Sequence, residues 1–362
     1  YFPKLSETFI LNQMTGLIDR GHDVRIFAFQ KGDTTKMHND IIKYNLLKRT
    51  YFGNRLPHAS NFDIVYCQFG FSGKNFLRRR NSWFYKSDTK LVTCFRGVDI
   101  SKFVKKRPKI YNELFRKGNL FLPVCRYFKK KLIRLGCKRS RILVHHSAID
   151  CRKFAYTKRS KAYDEPIKIL SVCRLVEKKG MEYAIKAVAQ LLEKYPNIQY
   201  TIVGDGPLRQ KLSSIITELG VADNIHLVGA IVHDQVVQML DTSHIFVLPS
   251  VTASDGNEEG IPNAIKEAMA MGLPVISTFH AGIPELVEDG VSGFLVPQRD
   301  YKALAKKIAY VIEHPEKWPE MGRAGRQKVE DEYNIEKLLD RLERIFRNMM
   351  RVKNNRIWRL RR

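Results

Sequence analysis

A chain of 362 residues is longer than one hydrophobic core usually organises, so its length predicts two domains. No apolar run is long enough to span a bilayer and the first residues lack the layout of a signal peptide, which favours a cytoplasmic location. The six cysteines form no C-x-x-C pair, so neither a zinc site nor a disulfide framework is expected, and the formal net charge of +26 requires an anionic partner or a role in solubility.

The first half of the sequence predicts alternating strands and helices. Buried strands are predicted at 23–29, 62–68, 90–95 and 120–124, and helices at 8–20 and 126–135. This alternation predicts a mostly parallel sheet with helices on both faces. The sequence enters a helix almost at once, so we expect that a first strand either precedes this sequence or is very short.

A second series follows a polar link at 155–166. Strands are predicted at 167–172, 198–203, 225–228, 245–250 and 274–277, and helices at 181–193, 207–218, 233–240 and 301–311. From Trp318 onward the pattern is helical. We therefore assign an N-terminal domain to 1–160, a C-terminal domain to 161–330, and a last helix with a basic tail to 331–362.

The most informative motif is a pair of glutamates, Glu259 and Glu267, in the run DGNEEGIPNAIKEAMAMGLPVI at 255–276. Pro262 favours the first turn of a helix and the residues behind it continue one, which puts Glu259 in the loop ahead and Glu267 inside the helix. Free backbone N–H groups at the helix start lie between them, an arrangement suited to a ligand that joins hydroxyls to a phosphate. A solvated helix face is the alternative for the two carboxylates alone.

Further segments accompany this run in a fixed order: CRLVEKKG at 173–180, VGDGPL at 203–208, AGIPELV at 281–287 and GVSGFLVP at 290–297. Together they resemble the donor half of the retaining glycosyltransferases of family 4. The resemblance implies an α/β protein of the GT-B fold, with two Rossmann-like doubly wound domains facing a cleft. It also implies an acceptor-binding first domain, a donor-binding second domain, and a last helix that crosses back to the first domain.

The resemblance also implies roles for individual residues of the second domain. Arg174 and Lys179 would bind the donor pyrophosphate, for which a pair of surface cations is the alternative. Gly260 and Ile261 would offer backbone N–H groups to the phosphate. Glu267 would bind the ribose hydroxyls and Glu259 the transferred sugar. No Asp-x-Asp motif follows a strand, so fixed cations rather than a metal are expected to neutralise the leaving group, and no cofactor besides the donor is expected.

The first domain departs from the family pattern at FRGVDIS, 95–101, where Arg96 replaces a histidine. Arginine is not a base near neutral pH, so Arg96 is limited to hydrogen bonding or charge stabilisation, with Asp99 as a residue that would orient it. The segments FPKLSETFI at 2–10 and HHSAID at 145–150 resemble the branch that builds exopolysaccharides, including colanic acid glycosyltransferases. A helix N-cap at Ser6 or Thr8, and packing roles for His145 and His146, are the alternatives.

The resemblance implies a retaining hexosyltransferase that uses a nucleotide-diphosphate sugar and a polysaccharide or lipid-linked oligosaccharide acceptor. An epimerase or phosphorylase on the same fold, or a catalytically silent nucleotide-sugar binding protein, remain alternatives. An NAD dehydrogenase is disfavoured because no G-x-G-x-x-G follows a strand.

The basic residues form no nucleic-acid-binding module, which disfavours a nucleic-acid partner. They cluster at 78–80, 105–107, 129–131, 138–139 and 347–362. Such clusters predict peripheral binding to an anionic membrane surface, and a generally basic surface is the alternative.

Overall fold

The computed structural model of the protein describes residues 1–3, 7–34, 37–53, 62–80, 89–162 and 164–358. In this part of the chain two α/β units form, and every pair of neighbouring strands is parallel. Ser6, one of the predicted N-caps, lies outside the described residues. Thr8 is the first residue of a helix rather than its cap.

The N-terminal unit contains the four strands that the sequence predicts and one more. Its strands are β1 Ile26–Ala28, β2 Thr50–Phe52, β3 Ile64–Cys67, β4 Lys90–Phe95 and β5 Leu120–Pro123. Its helices are α1 Thr8–Asp19, α2 Asn39–Lys43, α3 Gly70–Arg80, α4 Lys102–Lys106, α5 Asn112–Lys117 and α6 Arg126–Arg134. In place of the single predicted sheet, the described residues form two, β1–β2 and β3–β4–β5. β1 and β2 are short and mostly exposed, whereas β4 and β5 are almost wholly buried and carry the core.

The C-terminal unit is one six-stranded sheet with the order β11-β10-β9-β6-β7-β8. The strands are β6 Ile167–Val172, β7 Ile198–Val203, β8 Ile225–Gly229, β9 Ile245–Val247, β10 Val275–Thr278 and β11 Gly293–Val296, of which β11 is not predicted from the sequence. The helices are α7 Met181–Leu192, α8 Arg209–Glu218, α9 His233–Thr242, α10 Asn263–Ala270 and α11 Tyr301–Glu313. The strand order reverses at β6, and the carboxyl ends on either side of such a reversal are where doubly wound sheets bind ligands.

Two helices close the chain, α12 Trp318–Glu332 and α13 Ile335–Trp358. Between them, Tyr333 O accepts from Ile149 N and Ile335 N donates to Ile149 O, both at 3.0 Å, so the chain passes between the units twice at one point. Arg20, which caps the C-terminus of α1, pairs with Glu336 of α13 at 2.7 Å. The predicted return of the last helix to the N-terminal unit is confirmed.

All six cysteines are free, and five of them are buried. In the part of the chain that the structure describes, no helix combines the length and the apolar character needed to cross a membrane.

Candidate active site

The motif around Glu259 begins in the loop that follows β9 and leads into α10. Pro262 is the N-cap of α10, with φ −61° and ψ 131°, and the helix starts at Asn263. The expectation that Pro262 occupies the first turn is therefore wrong by one residue, because its extended ψ keeps it outside the helix. Glu267 is the fifth residue of α10, and Glu259 lies in the preceding loop, as the sequence predicts.

Glu259 forms ion pairs with two neighbouring lysines. Its Oε2 lies 2.5 Å from Nζ of Lys179 and 3.4 Å from Nζ of Lys178. Burial by itself would raise the pKa of Glu259, but the two ammonium groups outweigh burial and lower that pKa to about 2. Glu259 is therefore fully ionised at neutral pH, and its charge is balanced within the unit.

A histidine holds the backbone of the same loop. The N–H of Glu259 donates to Nε2 of His280 over 3.0 Å. His280 is buried, and burial lowers its pKa to about 4, so the ring is neutral and can accept this bond. The two lysines thus hold the side chain of Glu259, and His280 holds its backbone.

Glycines allow the loop that carries the lysines to approach the sheet closely. Gly180 has φ +68°, and a Cβ there would lie 1.9 Å from the carbonyl oxygen of Pro249. Gly204 has φ +130°, and its Cβ would lie 1.8 Å from the carbonyl oxygen of Cys173. Both positions therefore require glycine. They bring the ends of β6, β7 and β9 together and place Lys178 and Lys179 beside Glu259.

Arg174 and Asp205 lie on the same edge of the sheet. The Arg174 side chain is exposed directly after β6. Asp205 serves the turn as expected: its Oδ1 accepts from Gly206 N at 2.7 Å and its carbonyl accepts from Leu175 N at 2.9 Å. Arg174 is thus open to a ligand, whereas Asp205 has a structural role.

Gly260 is where the loop that carries Glu259 meets the N-terminal unit. A Cβ on Gly260 would lie 3.0 Å from the carbonyl oxygen of Arg96 and 2.9 Å from Val124 Cγ2. Among the described residues, the backbone N–H groups of Gly260 and Ile261 form no hydrogen bond. They remain available as donors next to the start of α10.

Arg96 is held by the N-terminal unit and the interdomain link. Its guanidinium donates to the carbonyl oxygen of Gln68 at 3.2 Å, to Gln68 Oε1 at 2.5 Å and to Ser147 Oγ at 2.8 Å. It also lies 4.5 Å from the ring centroid of Phe9. Asp99 does not contact this guanidinium, so the expectation that it orients the side chain is wrong. Its buried carboxylate instead accepts from the backbone N–H of Arg96 at 3.1 Å and of Gly70 at 2.8 Å, because it closes the turn after β4.

Glu267 faces a cleft between the two units. The cleft is also lined by residues of α1, of the interdomain link and of α9. The adjacent Lys266 is fully buried, and its Nζ donates to the carbonyl oxygen of Ser147 at 2.5 Å. Burial raises the pKa of Glu267 and lowers that of Lys266, and each partly offsets the effect on the other. The middle of α10 thus touches both the cleft and the link.

Carboxylates of the C-terminal unit also bind helix α6 across the cleft. Glu258 accepts from Tyr127 Oη at 2.9 Å and pairs with Lys131, and it turns away from its neighbour Glu259. Glu285 accepts from the backbone N–H groups of Arg126 and Tyr127 at 2.7 and 2.9 Å, at the N-terminus of α6. The loop that carries Glu259 is therefore fixed between the two units.

Sequence reasoning missed Lys178, Glu258, Lys266 and His280. His280 follows the carboxyl end of β10, a position that would have marked it as a candidate. The other three adjoin residues that were singled out, and sequence spacing does not determine which of two neighbouring side chains faces the cleft. His145 and His146 are buried, and burial lowers their pKa values to about 3 and about 4, so the packing alternative holds for both.

Two α/β units with parallel sheets, joined by a link and by a last helix that returns to the first unit, are the architecture of the GT-B fold. Solved structures of that fold match almost the whole chain. Sucrose-phosphate synthase from Thermosynechococcus elongatus gives a TM-score of 0.77 at 18% identity over 95% of this chain and 93% of that one. Anabaena HepE in complex with UDP-glucose gives a TM-score of 0.78 at 18% identity over 96% of both chains.

The sequence comparisons identify the family. Residues 6–153 match the model of Glycosyltransferase Family 4, and residues 153–328 match Glycosyl transferases group 1. The putative colanic acid biosynthesis glycosyltransferase of Escherichia coli K12 is 36% identical over 92% of this chain and 94% of that protein. The amylovoran biosynthesis glycosyltransferase of Erwinia amylovora is 35% identical over the same shares. The chain belongs to the family 4 glycosyltransferases, in their exopolysaccharide branch.

Proposed function

We propose that the cleft between the two units binds a nucleoside-diphosphate sugar and transfers its hexose to a glycan or lipid-linked oligosaccharide acceptor, with retention of configuration and without a metal ion. The observation that carries this proposal is the ionised Glu259, paired with Lys178 and Lys179 next to the free N–H groups before α10. UDP-glucose is bound by the structural neighbour HepE, and two relatives are named for exopolysaccharide biosynthesis, which supports the class of donor and acceptor.

In this proposal the donor exchanges one set of charge pairs for another. Without a donor, the lysines and Glu259 neutralise each other. The donor pyrophosphate draws Lys179 and Arg174 to its oxygens, and Glu259 then accepts hydrogen bonds from hydroxyls of the sugar. Gly260 and Ile261 donate to the phosphate from their backbone. The negative charge that develops on the leaving diphosphate is stabilised by cations already in place, which is the usual source of the largest rate effect in such reactions.

Glu267 takes the nucleoside end of the donor in the same proposal. A carboxylate that accepts from two adjacent ribose hydroxyls distinguishes a nucleotide from a bare phosphate. Burial raises the pKa of Glu267 to about 7. Only the ionised carboxylate accepts from both hydroxyls, so in this proposal donor binding strengthens as the pH rises above neutral.

The acceptor proton passes to the leaving phosphate in this mechanism. Arg96 does not serve as a base, because a guanidinium keeps its proton. His145 and His146 are buried and neutral. Substitution then occurs on the face that the leaving group vacates, and the configuration at the anomeric carbon is retained.

Two measurements test donor and stereochemistry. Calorimetry with UDP, GDP, ADP and dTDP in EDTA should give saturable binding for one base, and no binding to any of them would contradict the nucleotide site. The product from the matching sugar nucleotide should keep the anomeric configuration of the donor in proton NMR of the first turnovers. An inverted anomer would refute retention.

We also propose that the enzyme binds anionic membrane through basic residues of the N-terminal unit. Lys106 and Arg107 are exposed at the end of α4, and Lys130 and Arg134 are exposed on α6. Each basic residue held near an anionic membrane surface contributes about 1 kcal/mol to the free energy of membrane binding. Co-sedimentation with anionic and neutral vesicles should show binding to the anionic ones alone, and this binding should fall steeply with salt. Equal binding to both lipids would contradict it.

A further inference from the structure

Three phenylalanines form an open aromatic surface on the N-terminal unit. The rings of Phe69 and Phe71 stack with centroids 5.1 Å apart and planes 6° apart, and Phe71 contacts Phe103 at 5.8 Å. Phe103 is 41% exposed, and Phe69 and Phe71 are half-buried. Core phenylalanines of the same unit, such as Phe95 and Phe121, are fully buried. The three rings therefore stand apart from the core.

This aromatic surface, Phe69, Phe71 and Phe103, adjoins the candidate active site at one end. Phe69 follows the carboxyl end of β3, and Phe71 belongs to the first turn of α3. Gln68, next in the chain to Phe69, accepts two hydrogen bonds from the Arg96 guanidinium. The first ring is thus one residue from the partner of Arg96.

The other end of the surface meets the loop that carries Glu259. Phe103 lies on α4 between Lys102 and Lys105. Lys102 pairs with Asp255 at 2.7 Å, and Lys105 donates to the carbonyl oxygen of Ser254 at 3.3 Å. The aromatic surface therefore lies between Gln68, the partner of Arg96, and the loop that carries Glu259.

The chemistry of this surface suits a pyranose ring. One face of a pyranose carries C–H bonds with partial positive charge, which are attracted to the negative face of an aromatic ring, while its hydroxyls point outward to polar neighbours. Lysines of α4 lie at the edge of the rings and can donate to those hydroxyls. A lipid tail would also contact phenylalanine, but it has no hydroxyl groups to accept hydrogen bonds from the lysines of α4.

We propose that Phe69, Phe71 and Phe103 bind a sugar ring of the acceptor glycan by stacking, and so place the acceptor opposite the donor. This proposal depends on the proposed function, because it names the acceptor subsite of that reaction. Stacking on these rings lets the N-terminal unit select a glycan, rather than a small alcohol, as the acceptor.

The test compares variants on and off the surface. Phe71→Ala and Phe103→Ala remove stacking faces, and Phe103→Leu keeps apolar volume without a π system. Phe52→Ala is the matched control, because Phe52 is 39% exposed on β2, a strand of the other N-terminal sheet. The probes are methyl glycosides of glucose, galactose and mannose, and the readout is the dissociation constant from saturation-transfer NMR.

At least one glycoside should bind the unmodified protein, and each of the three surface variants should bind it roughly 3- to 10-fold more weakly, the effect of losing one aromatic contact. Phe52→Ala should bind as the unmodified protein does. Absence of saturable glycoside binding, or equal loss in Phe52→Ala, would overturn the proposal.

Two further measurements separate this proposal from its rivals. Neutral phosphatidylcholine vesicles provide the lipid arm: if Phe103→Ala loses vesicle binding and keeps its glycoside affinity, the surface binds lipid and the proposal is wrong. Calorimetry with UDP and GDP on the same variants reports the donor site. Intact nucleotide binding without any glycoside effect would reject the aromatic surface and leave the proposed donor chemistry standing.

Discussion

The substitution Glu259→Gln tests the charge balance at the site, because glutamine keeps the shape of the side chain and removes its charge. The pKa of Glu259 is lowered to about 2 from an ordinary 4.5. At about 1.4 kcal/mol for each pH unit, the native environment stabilises the ionised carboxylate by about 3 kcal/mol. Since the pKa is lower in the folded protein, this contribution is present above pH 4.5 and is lost as the pH falls through about 2.

Urea unfolding of both proteins at about pH 7 and at about pH 3 measures this contribution. At neutral pH the variant should be less stable by up to about 3 kcal/mol. At pH 3 the difference should be smaller, because this pH lies below the ordinary pKa of 4.5 that Glu259 has in the unfolded chain, so unfolding then takes up a proton. Glu218→Gln on the exposed face of α8 is the control, and it should change stability little at either pH. A difference that does not depend on pH, or a variant as stable as the native protein at neutral pH, would refute the reasoning.

Further predictions concern turnover and binding. Arg174→Ala and Lys179→Ala should each lower the initial rate in EDTA by ~10²-fold or more, because each removes a fixed cation from the leaving group; activity that survived both changes and needed a divalent metal would contradict this. Glu267→Ala should mainly weaken nucleoside diphosphate binding in calorimetry, whereas Glu259→Ala should mainly slow sugar transfer; equal losses of affinity would reject that division. Glu258→Gln should lower kcat and leave nucleotide affinity nearly unchanged, since the Glu258 side chain bonds to Tyr127 and Lys131 of α6 in the opposite unit; a loss of affinity as large as that of Glu267→Ala would show that Glu258 acts on the donor instead.

Much of the fold follows from local sequence patterns. β6 and β7 have the predicted bounds because each is a six-residue run rich in β-branched and apolar residues between turn residues. β2 is missed because two of its three residues are exposed, and β11 because it starts at Gly293 in a run of glycine and serine that is typical of a loop. The break between α12 and α13 is also missed. It is held by backbone hydrogen bonds to Ile149 of the interdomain link, which is far away in the sequence.

The candidate site is less predictable than the fold. Lys179 and Glu259 are 80 positions apart, and only the family resemblance places them in one site. The direction of each side chain comes from tertiary contacts: Glu258 turns to α6 while Glu259 turns to the lysines. Asp99 shows the same limit, since its short distance from Arg96 in sequence suggests a side-chain partner, whereas burial commits its carboxylate to backbone N–H groups.

The most direct test of the central claim is nucleoside diphosphate release from a panel of sugar nucleotides in EDTA, with the unmodified protein and Lys179→Met measured side by side. Methionine keeps the length and apolar stem of the lysine and removes its charge. The account predicts release from one sugar nucleotide that continues without metal and falls by ~10²-fold or more in the variant. Release that stops in EDTA, or that is equally fast in Lys179→Met, would contradict it.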